Sequence, residues 1–128
     1  MDILVLIGRV LFSAIFIGSG VQHITHAETM SPHAAARGVP APNVMVRLGG
    51  AVVLIGGISV LLGAYARLGA ALLVVFLIPT ALTMHNYWTL TDPVAKANDQ
   101  AHFFKDLALA GAALLIWCFG SGPFSLVP

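Results

Sequence analysis

Long apolar runs alternate with short polar segments along this chain, and the pattern predicts its elements. The hydrocarbon core of a bilayer is about 30 Å thick, so a spanning helix needs roughly 20 mostly apolar residues. Four runs meet that requirement, at about residues 3–23, 44–64, 68–85 and 103–119. Runs such as "LGAALLVVFLIPTAL" lack the apolar-polar alternation of membrane β-barrel strands. The pattern therefore predicts an all-α fold, a four-helix transmembrane bundle that forms a single domain over residues 1–128.

The connections between these runs differ in length. The second and third runs are joined by the very short "YAR" and are therefore antiparallel neighbours. The first long connection predicts a short interfacial helix from Ser31, as N-cap, to Arg37, with Pro32 at the first helical position. The second breaks at Asp92 and Pro93 and is expected to restart as a helix before the fourth run.

Small residues and one proline predict how the helices pack. Glycines recur at nearly two-turn intervals in the second run, at Gly49, Gly50, Gly56, Gly57 and Gly63. Small residues let helix backbones approach closely in lipid, so this stripe predicts helix contacts, with a gap for a ligand tail as the alternative. Pro79 removes the backbone hydrogen bond to Val75, and a kink there could open a cavity below "HNYW".

Composition places the chain in lipid and excludes two classes of function. It is 59% hydrophobic and 9% charged, whereas soluble domains are about 45–50% apolar and about 25% charged. Net charge is +1 without a basic run, so nucleic acid is excluded as a partner. Cys118 is the only cysteine, so the chain has neither an internal disulfide nor a Cys-x-x-Cys pair, and redox chemistry would need a cofactor or partner.

Arg9 lies about two turns into the first run, where a cation needs a partner. We expect it to reach lipid phosphate beside Asp2, which is seven residues away on roughly the same helix face. A ligand head group or a carboxylate of a partner subunit is the alternative.

Polar side chains from all four runs gather at the side of the long connections and form a candidate interfacial pocket. They are His23, His26, Arg47, His85, Asn86, Trp88, His102, Lys105 and Asp106. Three of them, His102, Lys105 and Asp106, share one helix face through their spacing. The alternative interpretation is an interfacial belt, in which the aromatic and charged side chains only anchor the helices at head-group level.

The cofactor stays unknown at this level, and no catalytic residue is assigned. A quinone fits the set, because histidine, asparagine and lysine donate hydrogen bonds to carbonyls while the tail lies between helices. Haem between His23 or His26 and His85 or His102 is the weaker hypothesis, because no spacing motif supports it. No metal site is predicted, since the chain has neither His-x-x-x-His nor Glu-x-x-His.

Four stretches, which cover nearly the whole chain, follow a characteristic order. They are "GRVLFSAIFIGSGVQHI", "GVPAPN", "GGISVLLGAYARLGAALLVVFLIPTALTMHNYW" and "FFKDLALAGAALLIWCFGSGPFSL". Together they resemble the DoxX family of small bacterial four-helix membrane proteins. Relatives often carry an acidic residue near the start of the second run, where this chain has Arg47, and that changes the charge of any shared pocket.

The resemblance implies a multi-pass protein of the bacterial inner membrane with a link to redox physiology. Relatives include a subunit of thiosulfate:quinone oxidoreductase and a membrane scaffold that recruits antioxidant enzymes. We therefore expect an accessory or scaffold subunit of a redox-linked complex, with a pocket for lipid, quinone or partner. The alternative is a quinone-linked oxidoreductase that uses His85 and Asn86 for the head group and Lys105 and Asp106 for protons. Expected partners are the lipid bilayer and either other subunits or further copies of the chain.

Overall fold

Within residues 1–127 the fold has five α-helices, four from the apolar runs and one from a polar connection. Helix α1 covers Asp2–Thr25, α2 Ala27–Ala36, α3 Pro42–Leu62, α4 Ala66–Met84 and α5 Pro93–Phe119, with a 3-10 turn at Tyr87–Thr89. The computed structural model describes residues 1–127. Helices α1, α3, α4 and α5 are long and apolar enough to cross a membrane. The predicted transmembrane bundle with a short helix in a long connection is therefore confirmed.

Helix α3 lies between α1 and α4, and α5 packs against α4. The core between them consists of Phe16, Val53, Val60 and Leu73, with small residues around them. Many large apolar side chains instead point outward, including Leu11, Ile55 and Leu115. In water this surface would be costly, whereas in a bilayer it faces hydrocarbon.

The glycines of α3 lie where neighbouring helices come closest. A Cβ at Gly50 would stand 2.6 Å from the Cβ of His23 in α1. One at Gly56 would stand 2.9 Å from the carbonyl oxygen of Gly69 in α4. Such distances leave no room for a side chain, so the prediction that the stripe makes helix contacts is confirmed at these positions.

Arg9 is buried at 5% exposure, and the end of the chain surrounds it. Its guanidinium donates to the carbonyl oxygens of Ser121 at 3.0 Å, Pro123 at 2.7 Å, Phe124 at 2.8 Å and Leu61 at 3.2 Å. The expectation that Arg9 reaches lipid phosphate beside Asp2 was wrong. The reason is that the segment after α5 folds back and offers its backbone carbonyls to the cation.

Helix α2 begins earlier than its capping residues suggested. It starts at Ala27 and places Pro32 inside the helix, so the prediction of Ser31 as N-cap was wrong. The hydroxyl of Ser31 instead donates to the carbonyl oxygen of Ala27. Burial of Ala27 and Ala34 against Val46 of α3 explains the longer helix, since packing of an apolar face outweighs local capping preference.

The second long connection is shorter than expected, because its helix and the fourth span are one element. Asp92 caps α5 by accepting from the backbone nitrogen of Ala95 at 2.9 Å, and Pro93 occupies the first helical position. Helix α5 then continues for 27 residues, or about 40 Å at 1.5 Å per residue. That exceeds the hydrocarbon thickness of about 30 Å, so its polar first turns extend toward the head groups.

Candidate ligand site

A cavity of about 640 Å³ lies between α2, α3, α4 and the end of α1. This volume falls within the range of about 300–1,000 Å³ for small-molecule sites. Its wall is mainly apolar and includes Met30, Val39, Met45, Val46, Leu48, Val52, Val75, Phe76, Pro79 and Met84. Because these side chains come from membrane-spanning helices and the adjoining connection, the cavity suits a molecule with a large apolar part.

Polar atoms are few in this cavity. They come from His23 at the end of α1, from Thr29 and His33 on α2, and from Thr80 and Thr83 on α4. A mainly apolar wall with a few placed polar groups is the usual composition of a site that orients a ligand.

His23 is held in the wall by contacts on three helices. Its Nδ1 lies 2.7 Å from the carbonyl oxygen of Ser19, one turn earlier in α1. Its ring meets Phe76 of α4 edge to face, with centroids 5.9 Å apart. Its Cβ lies against Gly50, where α3 has no side chain. These contacts fix the ring at the cavity surface.

A second polar group, which we call the charged cluster, lies at the ends of α2 and α4 and along α5. It consists of Arg37, His85, Asn86, Asp99, His102, Lys105 and Asp106. None of these side chains lines the 640 Å³ cavity. The polar residues of this membrane face therefore form two separate sites.

Arg37 joins three elements of the charged cluster. One guanidinium nitrogen donates to the carboxylate of Asp99 at 2.7 Å and another to the side-chain oxygen of Asn86. Both carboxylate and guanidinium are mostly shielded from solvent. A charge-assisted bond in such surroundings holds the end of α2 against α4 and α5 more firmly than an exposed pair would.

His85 stands between two carboxylates of α5. Its Nδ1 lies 3.5 Å from Asp99 and its Nε2 lies 3.8 Å from Oδ2 of Asp106. Asp106 is only 5% exposed, and among residues 1–127 its Oδ2 has no hydrogen-bond partner. The His85 ring also stacks on His102 with centroids 5.0 Å apart. Lys105 completes the group, 3.9 Å from Asp106.

The nine residues proposed from sequence thus separate. His85, Asn86, His102, Lys105 and Asp106 meet in the charged cluster, as their position at helix ends suggested.

The other four lie elsewhere. His23 lines the cavity, whereas His26 pairs with its neighbour Thr25 at 2.9 Å. Arg47 is bonded to Asn43 at 2.8 Å on an exposed face, and Trp88 packs on Phe103 beside the charged cluster.

Sequence reasoning missed Arg37 and Asp99 as members of the charged cluster. Asp99 carried a usable signal, because it precedes His102 by three and Asp106 by seven residues and so shares their helix face. No sequence pattern indicated Arg37, since its position depends on how α2 packs on α3. Within residues 1–127, no three histidine, cysteine, aspartate or glutamate side chains are grouped closely enough to hold a metal ion.

The DoxX family model matches residues 4–86. The chain belongs to the DoxX family. It is 29% identical over 124 residues to "Inner membrane protein YphA" of Escherichia coli (strain K12), a match that covers 97% of this chain and 88% of that relative. No solved structure matches significantly. Together with four helices of spanning length, this makes the chain a multi-pass protein of the bacterial inner membrane.

The range matched by the DoxX model divides the two sites. Every residue lining the cavity falls within residues 4–86. The α5 half of the charged cluster, with Asp99, His102, Lys105 and Asp106, lies beyond it. The cavity therefore belongs wholly to the part of the chain that the family model describes.

Proposed function

We propose that this DoxX protein is an accessory subunit of the inner membrane that holds an amphipathic, quinone-like ligand in the 640 Å³ cavity. The observation that carries the proposal is the combination of an apolar wall with a fixed imidazole. The apolar wall accommodates a tail and a ring, and His23 and the threonines orient the head group.

A role as subunit, rather than as a complete enzyme, is supported by the separation of the two sites. The ionisable groups best suited to proton transfer, His85 and Asp106, lie in the charged cluster and not on the cavity wall. Cys118, the only cysteine, is exposed on α5 away from both sites. A partner subunit would then supply the electrons, and the large outward apolar surface offers room for one.

Native mass spectrometry of the protein released from membranes tests the proposal. We expect an amphipathic small molecule to remain bound, together with any partner or second copy. Val52→Phe should reduce its occupancy, because Val52 lines the cavity and the larger ring fills it. The matched control is Ile55→Phe on the same helix, where the side chain is 60% exposed. Equal occupancy in both variants would place the ligand outside the cavity.

A quinone-linked oxidoreductase is the second candidate, and one observation favours it. His85 lies between the carboxylates of Asp99 and Asp106, and a row of ionisable groups suits proton transfer during quinone chemistry. The purified protein would then turn over a soluble quinone analogue with a suitable donor, and His85→Ala would abolish turnover. Turnover that survives this substitution would remove His85 from the mechanism.

A further inference from the structure

We propose that the cavity ligand carries a hydroxyl group that donates a hydrogen bond to Nε2 of His23. Within the function proposed above, on which this inference rests, the cavity would therefore prefer a hydroquinone to the corresponding quinone. This preference follows from the donors and acceptors of His23 and Thr83 that the protein does not already use for its own hydrogen bonds.

His23 lines the cavity, and one of its ring nitrogens is an unused acceptor. A backbone carbonyl can only accept, so the 2.7 Å contact between Nδ1 of His23 and the carbonyl oxygen of Ser19 places the proton on Nδ1. In a neutral imidazole the other nitrogen then carries a lone pair. Among the described residues no hydrogen bond occupies Nε2. That nitrogen is therefore available to a ligand as an acceptor.

Thr83 presents a second acceptor from α4. Its hydroxyl donates to the carbonyl oxygen of Pro79 at 2.8 Å, so its proton is used and its lone pairs remain. Pro79 adds no backbone donor, because proline has no N–H. Two acceptors on different helices that line the cavity, α1 and α4, match a ligand with hydroxyl donors, whereas the carbonyls of a quinone only accept. Thr29, Thr80 and His33 can adapt to either form.

The hydroxyl could belong to a reduced quinone or to a lipid such as diacylglycerol. Both combine a hydroxyl donor with an apolar body, and the cavity does not distinguish them by hydrogen bonding alone. The probes must therefore separate the two sources.

Binding can be measured anaerobically in detergent with four probes of similar hydrophobicity. They are decylubiquinol, decylubiquinone, the dimethyl ether of the quinol, and dioctanoylglycerol. We expect the quinol to bind about tenfold more tightly than the quinone or the ether, since one unmatched buried hydrogen bond corresponds to about that ratio. Tight binding of dioctanoylglycerol and not of the quinol would support the hydroxyl contact and overturn the hydroquinone assignment.

Two variants identify the acceptors. His23→Phe keeps a ring of similar size against Phe76 but removes both nitrogens, so the preference for the quinol should fall toward equal binding. Thr83→Val removes the second acceptor with little change in shape and should reduce the preference partly. Ser19→Ala is the control: it removes a hydroxyl 3.3 Å from Nδ1 but keeps the carbonyl at 2.7 Å that fixes the imidazole, so the preference should not change. Unchanged preference in His23→Phe would overturn the role of His23.

Failure of this inference is distinguishable from failure of the proposed function. Equal binding of quinol, quinone and ether by the unmodified protein would overturn the hydroxyl contact and leave the cavity as an amphiphile site. Absence of binding by all four probes would overturn the proposed function itself. Reduced binding of every probe in His23→Phe, with normal thermal stability, would assign His23 to cavity shape and overturn its role as acceptor.

Discussion

Arg9 and Pro123 are separated by 114 positions in the chain, yet Nη1 of Arg9 lies 2.7 Å from the carbonyl oxygen of Pro123. The same guanidinium also binds the carbonyls of Ser121 and Phe124. Among residues 1–127 no carboxylate pairs with this buried cation, and the oriented carbonyls of a backbone turn stabilise it. The segment after α5 is consequently held against α1.

Replacement of Arg9 by methionine should release that segment. Several carbonyls would lose their donor in a buried place, so we expect a loss of about 2–4 kcal/mol of stability. Thermal unfolding in detergent and hydrogen exchange at residues 121–125 would measure both effects. Arg47→Met is the control, because Arg47 is exposed and, among residues 1–127, bonded only to Asn43. It should change stability by less than about 0.5 kcal/mol. Similar losses in both variants would contradict the role of Arg9.

The helices could be predicted from sequence because hydropathy and spacing are local properties. Long apolar runs identified the spanning helices. Asp92 and Pro93 indicated a break followed by a helix, but not that this helix continues without interruption into the fourth span. The environment of Arg9 could not be predicted, since most of its partners lie more than 100 positions away and Leu61 lies 52 positions away. The start of α2 was also missed, because burial of Ala27 against α3 depends on tertiary packing.

Gly50→Ala should separate α1 from α3. The added Cβ would stand 2.6 Å from the Cβ of His23 and 3.0 Å from the carbonyl oxygen of Gly20. Neither atom can move without moving a helix, so we expect a loss of about 1–3 kcal/mol. Since His23 is displaced, ligand affinity should fall as well. Thermal unfolding and probe binding measure these two effects.

Gly18→Ala is the matched control for Gly50. Nothing lies within 4 Å of a Cβ at Gly18, so alanine should be neutral or stabilise α1 by up to about 1 kcal/mol. A protein that tolerates alanine equally at both positions would show that α1 and α3 are less closely packed than described.

The bond between Arg37 and Asp99 should hold α2 against α5. Asp99→Asn removes the charge from a 2.7 Å contact, and we expect a loss of about 1–2 kcal/mol. A double-mutant cycle tests the contact. The charge-exchanged protein, Arg37→Asp with Asp99→Arg, should lose less stability than the sum of the losses in its two single variants. Lys96→Gln, at an exposed position of the same helix, is the control. Additive effects of the two single exchanges would exclude a direct coupling.

The candidate site was predicted from sequence as a polar membrane face and as a cavity that a kink at Pro79 could open, and Pro79 does line the cavity. Helix ends that share one side of the bilayer bring His23 and His85 to similar depth, and local spacing groups His102 with Asp106. A sequence does not reveal how far apart helix ends lie in the plane of the membrane, so the cavity and the charged cluster were combined into one predicted pocket. About half of the cavity wall is valine, leucine, methionine and phenylalanine, which in sequence resemble any other lipid-facing residues.

His85 and Asp106 should show strong energetic coupling. Asp106 is buried, and its Oδ2 lies 3.8 Å from Nε2 of His85. His85→Ala therefore leaves a buried carboxylate with one group fewer to stabilise its charge. We expect that variant to lose about 1–3 kcal/mol, and to lose much less when Asp106→Asn has removed the charge. Thermal unfolding of the unmodified protein, the two single variants and the double variant gives the coupling free energy between His85 and Asp106. Glu28→Gln at an exposed position of α2 serves as the charge control. Equal effects of His85→Ala in both backgrounds would mean that the histidine stabilises this membrane face through Asp99 and His102 and not through Asp106.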